Sequence, residues 1–575
     1  MQRSQRSAVL TALAMTLVLL SACAPSGDAK PAAAPQSGAQ TPAPRTQKIL
    51  TVANQVEPSS LVPQITGGPA GGGGTEVPYI VHDNLTVEVE LEQYAPQLAA
   101  ELPSVDKNTW RLNPDGTMDT IWKLRPNVYW HDGTPFTSDD LAFTFTLVRD
   151  PQMGVPTATT RLMDSVEAPD PTTFIIHWNS VFAQADTIGT FAAILPRHLL
   201  GEAYQAGRDR LLSSRYFTSE FVGLGPYKVV DWQAGSHLTV TRFDQYYQGR
   251  PPLDGLIVRF MSDPNAMVAA ILAGSVDVVM TGISVEAAVE VKRRWEGTAN
   301  QVVIEPAGKV YVAEVQYRPE FVQPKATFDN RNVRQAFYQA IDRMTVADTM
   351  TQGLGPAADS YFYPSEAIRP AVERFIPQYP YDPNRAQELL AQAGWVRGSD
   401  GVLARQGTGE RFQTGIWGHP DDTRTRLVTI LANYWKNVGV DVTVNQIPPE
   451  RISDQEYGAT IPGWWIVNPS SRVFYLPPNT IHTRQIPSAA TRWNGQNYGG
   501  YSNPKADDLQ DRLNATINPT ERTAIQQQLV QELMGDVAVL PLYWIVTPTL
   551  MRAGVTGPKP LRSYPTLTIF KWDML

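Results

Sequence analysis

The sequence predicts an α/β protein of more than one lobe, on three observations. At 575 residues the chain is longer than one ordinary hydrophobic core can serve. Apolar patterns of period two and period 3.6 alternate along it. In one place the two meet directly: a helical stripe of Leu427, Ile430, Leu431, Tyr434, Trp435 and Val438 stops at Gly439, and the alternating strand "VDVTV" (440–444) follows at once. A helix feeding a strand in this way is the local unit of α/β architecture.

The N-terminus reads as an export signal. Arg3 and Arg6 form a basic start, "AVLTALAMTLVLL" (8–20) is an apolar core too short to span a membrane, and "LSAC" (20–23) follows. "LSAC" resembles the bacterial lipobox, which implies cleavage after residue 22 and a lipid on Cys23, the one cysteine of the chain. With no second cysteine there is no internal disulfide, and the core alone must hold the fold. Removing 1–22 takes away two positive charges and moves the net charge from −8 to −10. Residues 23–48, rich in Ala, Pro, Gly, Ser and Gln, read as a flexible tether. The expected location is extracytoplasmic, lipid-anchored to the cell membrane, in a periplasm or on the outer face.

Beyond residue 48 no long apolar segment recurs, so the membrane is met through the lipid only. "TMDTIWKL" (117–124) alternates as a strand after the Asp115-Gly116 turn, and "HDG" (131–133) is a second turn. "TSDDLAFTFTLV" (137–148) reads as a helix capped by Thr137 with Asp140 three residues on. Asp263-Pro264, Asp382-Pro383, Asn503-Pro504 and Asn518-Pro519 each announce a helix, the first closing at Gly274 and the second at Gly394. Val333, Ala336, Phe337, Ala340, Ile341 and Met344 form one further helical stripe.

Catalytic constellations are missing from the sequence. It has no HExxH, GxSxG or Walker motif, and the glycine-rich "GGPAGGGG" (67–74) lacks the Lys-Ser/Thr of a phosphate loop. "SNPK" (502–505) matches SxxK in letters, but its Asn-Pro marks a helix start and so a capped turn. The seven histidines, at 82, 131, 177, 198, 237, 419 and 482, show no metal-binding spacing. Asp139/Asp140, Asp421/Asp422 and Asp507/Asp508 sit at helix starts, where they complement the dipole. No enzyme, metal or cofactor is expected. Acidic residues outnumber basic ones by 56 to 48, so nucleic acid is not the expected partner.

Six stretches carry a family resemblance: "WKLRPNVYWHDGTPFTSDDLAFTF" (122–145), "GLGPYKVVDWQAGSHLTVTRFDQYYQGRPPLDGLIVRF" (223–260), "ILAGSVDVV" (271–279), "FDNRNVRQAFYQAIDR" (328–343), "YDPNRAQELLAQAGW" (381–395) and "YSNPKADDLQDRL" (501–513). In this order they resemble the family 5 extracellular solute-binding proteins, the receptors of peptide, nickel and oligosaccharide ABC importers. The resemblance implies a two-lobed periplasmic-binding-protein-like fold (type II, large form) with a hinge. It places lobe one at 49–305 plus 536–575, with an extra subdomain at about 96–219, and lobe two at 306–535. It implies a monomer that traps a small solute, peptide or oligosaccharide, and passes it to ABC permease subunits. A lipid-anchored sensor or hydrolase on the same fold is the alternative.

In peptide-binding members a lobe-two tryptophan is followed closely by an aspartate that pairs with the peptide ammonium. The matching stretch here, "GWWIVNP" (463–469), has no acid; the aspartate position falls on Val467 or, counting from Trp465, on Asn468. A neutral amide cannot neutralise a buried ammonium, so a ligand with a free amino terminus is disfavoured. Trp417, Trp464, Trp465, Asn468, Trp493 and Asn494 are the candidate ligand-binding residues, suited to a polar ligand with flat apolar faces. Neighbours in an extended strand point oppositely, so one of Trp464 and Trp465 should face the ligand and the other the core.

Overall fold

The computed structural model describes residues 47–66, 76–90, 93–153, 159–186, 194–468, 481–558 and 565–575. The signal segment, Cys23, the tether up to residue 46 and the glycine-rich stretch lie outside the described residues.

One sheet of ten strands organises the molecule. Its strands are β1 (Ile49–Asn54), β2 (Tyr227–Gln233), β3 (His237–Arg242), β4 (Gly255–Phe260), β5 (Val278–Val279), β6 (Gln301–Val315), β7 (Gln413–Gly418), β8 (Asp441–Gln446), β9 (Trp464–Val467) and β10 (Leu540–Met551). Their spatial order is β8-β7-β9-β6-β10-β5-β1-β4-β3-β2. β6 and β10 are long enough to belong to both ends. At one end Gln301 pairs with Met551, and at the other Ala313 pairs with Leu540. Between Pro306 and Val310 the register shifts, and Gly308 there has φ 64°. A second, four-stranded sheet is built from Trp110–Leu112, Met118–Lys123, Thr173–Trp178 and Met163–Asp170. Its core gathers Trp110, Trp122, Trp130 and Trp178.

Direction along the sheet decides where the parallel strands end. β1 is parallel to β4 and β5, and β5 and β6 both run antiparallel to β10, so β6 shares the direction of β1. β9 is antiparallel to β6 and parallel to β7, which is parallel to β8. The carboxyl ends of β1, β4 and β5 therefore point toward those of β7, β8 and β9 across the middle of β6.

The helices start where their caps dictate. Thr137 N–H donates to Asp140 Oδ2 (3.1 Å) ahead of the helix Ser138–Arg149. Asp263 accepts from Asn265 N–H (2.9 Å), and the helix Pro264–Ala273 closes on Gly274 at φ 74°. Asp382, Asn503 and Asn518 cap Pro383–Gln392, Pro504–Ala515 and Pro519–Gly535 in the same way. Asp421 caps Asp422–Asn437, which delivers the chain through Gly439 into β8.

The stripe from Val333 to Met344 is not one helix. Arg331–Gln339 stops at Ala340, Asp342 Oδ1 accepts from Thr345 N–H (3.1 Å), and a new helix Arg343–Thr351 begins. Met344, in its first turn, is 71% exposed and outside the core. The Asp342 cap satisfies backbone donors that open where the second helix starts, and so makes a break at this point tolerable within an otherwise helical apolar period.

Candidate ligand-binding site

β9 alternates its side chains between the two faces of the sheet. Trp464 and Ile466 point into the largest apolar cluster, under the helices Arg331–Gln339 and Asp422–Asn437. There the Trp464 ring stacks on Phe337 (5.1 Å, 18° between planes) and touches Phe328 and Trp435 at 5.3 and 5.2 Å. As a ligand-contacting candidate Trp464 is therefore corrected to a core residue: it is 1% exposed and enclosed by other rings.

Trp465 points to the opposite face, into a small cluster with Ile447 and Ile461, flanked by the partly buried Trp417, Tyr457, Val467 and Tyr498. Trp417 lies flat along this face because two glycines leave it room. A Cβ on Gly415 would collide with its ring, and one on Gly463 would come to 3.1 Å of it. Gly499 does the same for Trp465, its Cβ position being 3.2 Å from the indole edge. Trp417 and Trp465 are thus brought together.

Trp493 and Asn494 sit elsewhere. Trp493 has φ 59° after a short capped turn at Ser488, and its ring lies 6.4 Å from Phe321. Asn494 is exposed, and neither residue shares the cluster of Trp465.

Asn468, one residue past β9, stands on the side of Trp464 at the carboxyl end of the strand. Its Oδ1 accepts from Arg424 Nη2 (2.9 Å), while Arg424 Nη1 donates to Asp421 Oδ2 (2.6 Å). The guanidinium also covers the Tyr311 ring at 5.6 Å. A cation thus occupies the side of Asn468, and a ligand ammonium there would meet like charge. Arg424 was not singled out from sequence; its place in the first turn after the Asp421 cap was the available signal.

Glu314 was also missed. It lies on β6 directly opposite Trp465 in the antiparallel register, so the two side chains share a face. The residue is half-buried, and its carboxyl has no hydrogen bond or ion pair among the described residues. Burial, with no charged partner, pushes it up to about 7. An acid inside the apolar run "VYVAEV" (310–315) was the signal that would have found it.

Among the described residues no cluster of three or more His, Cys, Asp or Glu side chains is placed to hold a metal ion, and no helix is long and apolar enough to cross a membrane. His131, in the "HDG" turn, is buried between backbone groups: Gly223 N–H donates to its Nδ1 (3.1 Å), and its Nε2 lies 3.0 Å from Gly225 O. Lys505 of "SNPK" pairs with Glu532 at 2.6 Å rather than with Ser502.

Residues 93–480 match the family described as bacterial extracellular solute-binding proteins, family 5 Middle. The oligopeptide-binding protein AppA of Bacillus subtilis (strain 168) is 23% identical over 595 aligned residues, spanning 100% of this chain and 99% of that protein. The oligopeptide binding protein of Thermus thermophilus, solved with a pentapeptide, superposes with a TM-score of 0.73 at 20% identity, over 91% of this chain and 96% of its own. NikZ of Campylobacter jejuni, solved with Ni(L-His), superposes at 0.71 and 21% identity, over 91% and 99%. All three match across nearly the whole two-lobed α/β fold.

Proposed function

The chain belongs to the family 5 bacterial extracellular solute-binding proteins, and from that premise we propose that it is the receptor of an ABC importer, taking an oligopeptide or oligosaccharide-like solute between two lobes. Lobe one is 49–305 plus 536–575, with the 96–219 region as its extra subdomain, and lobe two is 306–535. The observation that carries the reading is the opposed set of strand ends. Carboxyl ends of parallel strands are where α/β sheets hold ligands, and here two such sets face each other across β6, where a register shift supplies the hinge. Closure on the solute, and recognition of the closed form by membrane permease subunits, is the whole mechanism; no bond is broken.

Peptide is the favoured class, because a relative named for oligopeptide binding matches along the full chain. Trp417 and Trp465 supply flat apolar contact, while Asn468 beside Arg424 offers amide and guanidinium donors for carbonyl oxygens. Trp493 and Asn494 would line an outer edge. The protein acts as a monomer, held outside the cytoplasm by lipid on Cys23.

Mass spectrometry of solutes released from the purified protein by mild unfolding tests the reading. Peptides recovered unchanged are expected; neutral oligosaccharides would move the ligand class, and a chemically altered solute would sink the receptor assignment. For the anchor, Cys23→Ser should leave the protein in the soluble fraction; continued membrane retention would remove the lipid.

A further inference from the structure

We infer that Arg318 is a positioning residue for the ligand-facing wall: its guanidinium gathers backbone carbonyls of three separate segments, so that Tyr498 and Ile461 are held against Trp465. The inference rests on the receptor reading, in which Trp465 meets the solute, and adds the residue that keeps that ring in place. Arg318 lies just past β6 and is half-buried. Its Nη1 donates to Pro487 O (2.8 Å), and its Nη2 donates to Tyr498 O (2.7 Å) and to Ala459 O. Its Nε donates to Gln316 Oε1 (3.0 Å), and Gln316 Nε2 in turn donates to Ala459 O (3.0 Å) and Ile461 O (2.9 Å).

These segments are the ones that frame Trp465. The stretch from Ala459 to Ile461 leads into β9, and Ile461 packs in the Trp465 cluster. Pro487 and Tyr498 lie on the two arms of the 485–499 loop, which Asn497 N–H closes by donating to Gln485 O (3.0 Å). Gly499, next after Tyr498, is pressed between β6 and the indole: a Cβ there would come to 2.5 Å of Val315 O and 3.2 Å of the Trp465 ring. With so little clearance, a shift of this loop passes directly to the indole. Gly500, at φ 73°, leaves the space that the Arg318 side chain fills, for a Cβ there would come to 2.5 Å of it. The same guanidinium lies 4.9 Å from the centre of the Phe321 ring, whose other neighbour is Trp493.

The residue type suits the task. A guanidinium is a rigid planar fork of donors that keeps its charge, so one side chain can serve carbonyls arriving from different directions; an ammonium is a point donor on a flexible stem. The charge strengthens each of these hydrogen bonds. Without Arg318, Ala459 O keeps its bond from Gln316, whereas Pro487 O and Tyr498 O lose this donor and must turn toward water. The loop that carries Tyr498 therefore loosens first, and the expected result is a displaced wall on an intact fold.

The test uses the full chain stripped of bound solute, titrated calorimetrically with a pool of tri- to pentapeptides, in a cycle of Arg318→Ala, Trp465→Ala and the double variant. Arg318→Ala should weaken binding roughly tenfold by itself and far less in the Trp465→Ala background, because the two act through one wall. Arg318→Lys should recover part of the loss, a point donor replacing the fork. Acrylamide quenching of Trp465, read by difference against the Trp465→Ala protein, should rise in Arg318→Ala with no ligand present. Equal losses in both backgrounds, or an unchanged affinity, overturn the positioning role and leave the receptor reading standing. Should the unaltered protein bind no peptide, the peptide reading falls and the quenching decides for Arg318: a rise upholds its hold on the wall, and no change overturns it. If Arg318→Ala fails to fold, Arg318→Lys takes its place in the cycle, and additive losses refute the proposal.

Discussion

Replacing Trp464 by alanine would empty a space enclosed by Phe328, Phe337 and Trp435, and should destabilise the fold by about 3–5 kcal/mol. Trp465→Ala removes a ring from the other face; ligand affinity should fall by about 1–3 kcal/mol. Urea unfolding and ligand titration of both variants separate the two roles, and the assignment fails if the losses are exchanged. Asp83 makes a pH prediction. Burial pushes its carboxyl up to about 7, against the phenols of Tyr246 and Tyr247, which donate to it at 2.7 and 2.8 Å. A raised carboxyl contributes stability below its ordinary 3.8, and that contribution is lost as pH rises through about 7. Asp83→Asn should therefore gain stability relative to the unaltered chain as pH goes from about 4 to 7. His82 and His131, lowered to about 3 and 4 by burial, act oppositely, costing stability as pH falls below 6.5. Thermal midpoints at fixed pH read the difference; an unchanged offset would show that Asp83 does not titrate as described.

Asp421 does two things at one helix start. Its Oδ1 accepts from Arg424 N–H (2.8 Å), and its Oδ2 holds the guanidinium that in turn holds Asn468. Asp421→Ala should cost about 1 kcal/mol as a lost cap, and Asp421→Asn should recover most of it; equal losses in both would locate the effect in the ion pair instead. Caps of this kind were legible in the sequence because their cause is local: an Asx oxygen and a proline without N–H both act within a few residues. The Asp115-Gly116 hairpin was legible for the same reason, Gly116 taking φ 86°. The stripe ending at Met344 misled because apolar period reports only an average face, whereas the Asp342 cap sets where the chain leaves the helix.

Arg426, on the helix after β7, meets Glu286, on the helix after β5, at 2.7 Å. This pair ties together the two sets of strand ends that face each other across β6. Both side chains are partly exposed, so Arg426→Ala should weaken ligand binding by about 0.2–1 kcal/mol at low salt, with the effect fading toward high ionic strength. Titrations at two salt concentrations check it; a salt-independent loss would point to packing. By itself the sequence determined the α/β class, the helix starts, the family, and the absence of an acid from 463–469, since each depends on residues close in the chain or on motifs in order. Only the tertiary structure decided which tryptophan is core, that Arg424 occupies the side of Asn468, and that Glu314 stands across from Trp465. Those three depend on strand register and crossover between segments far apart in the chain, and no local pattern encodes which strand will lie beside which.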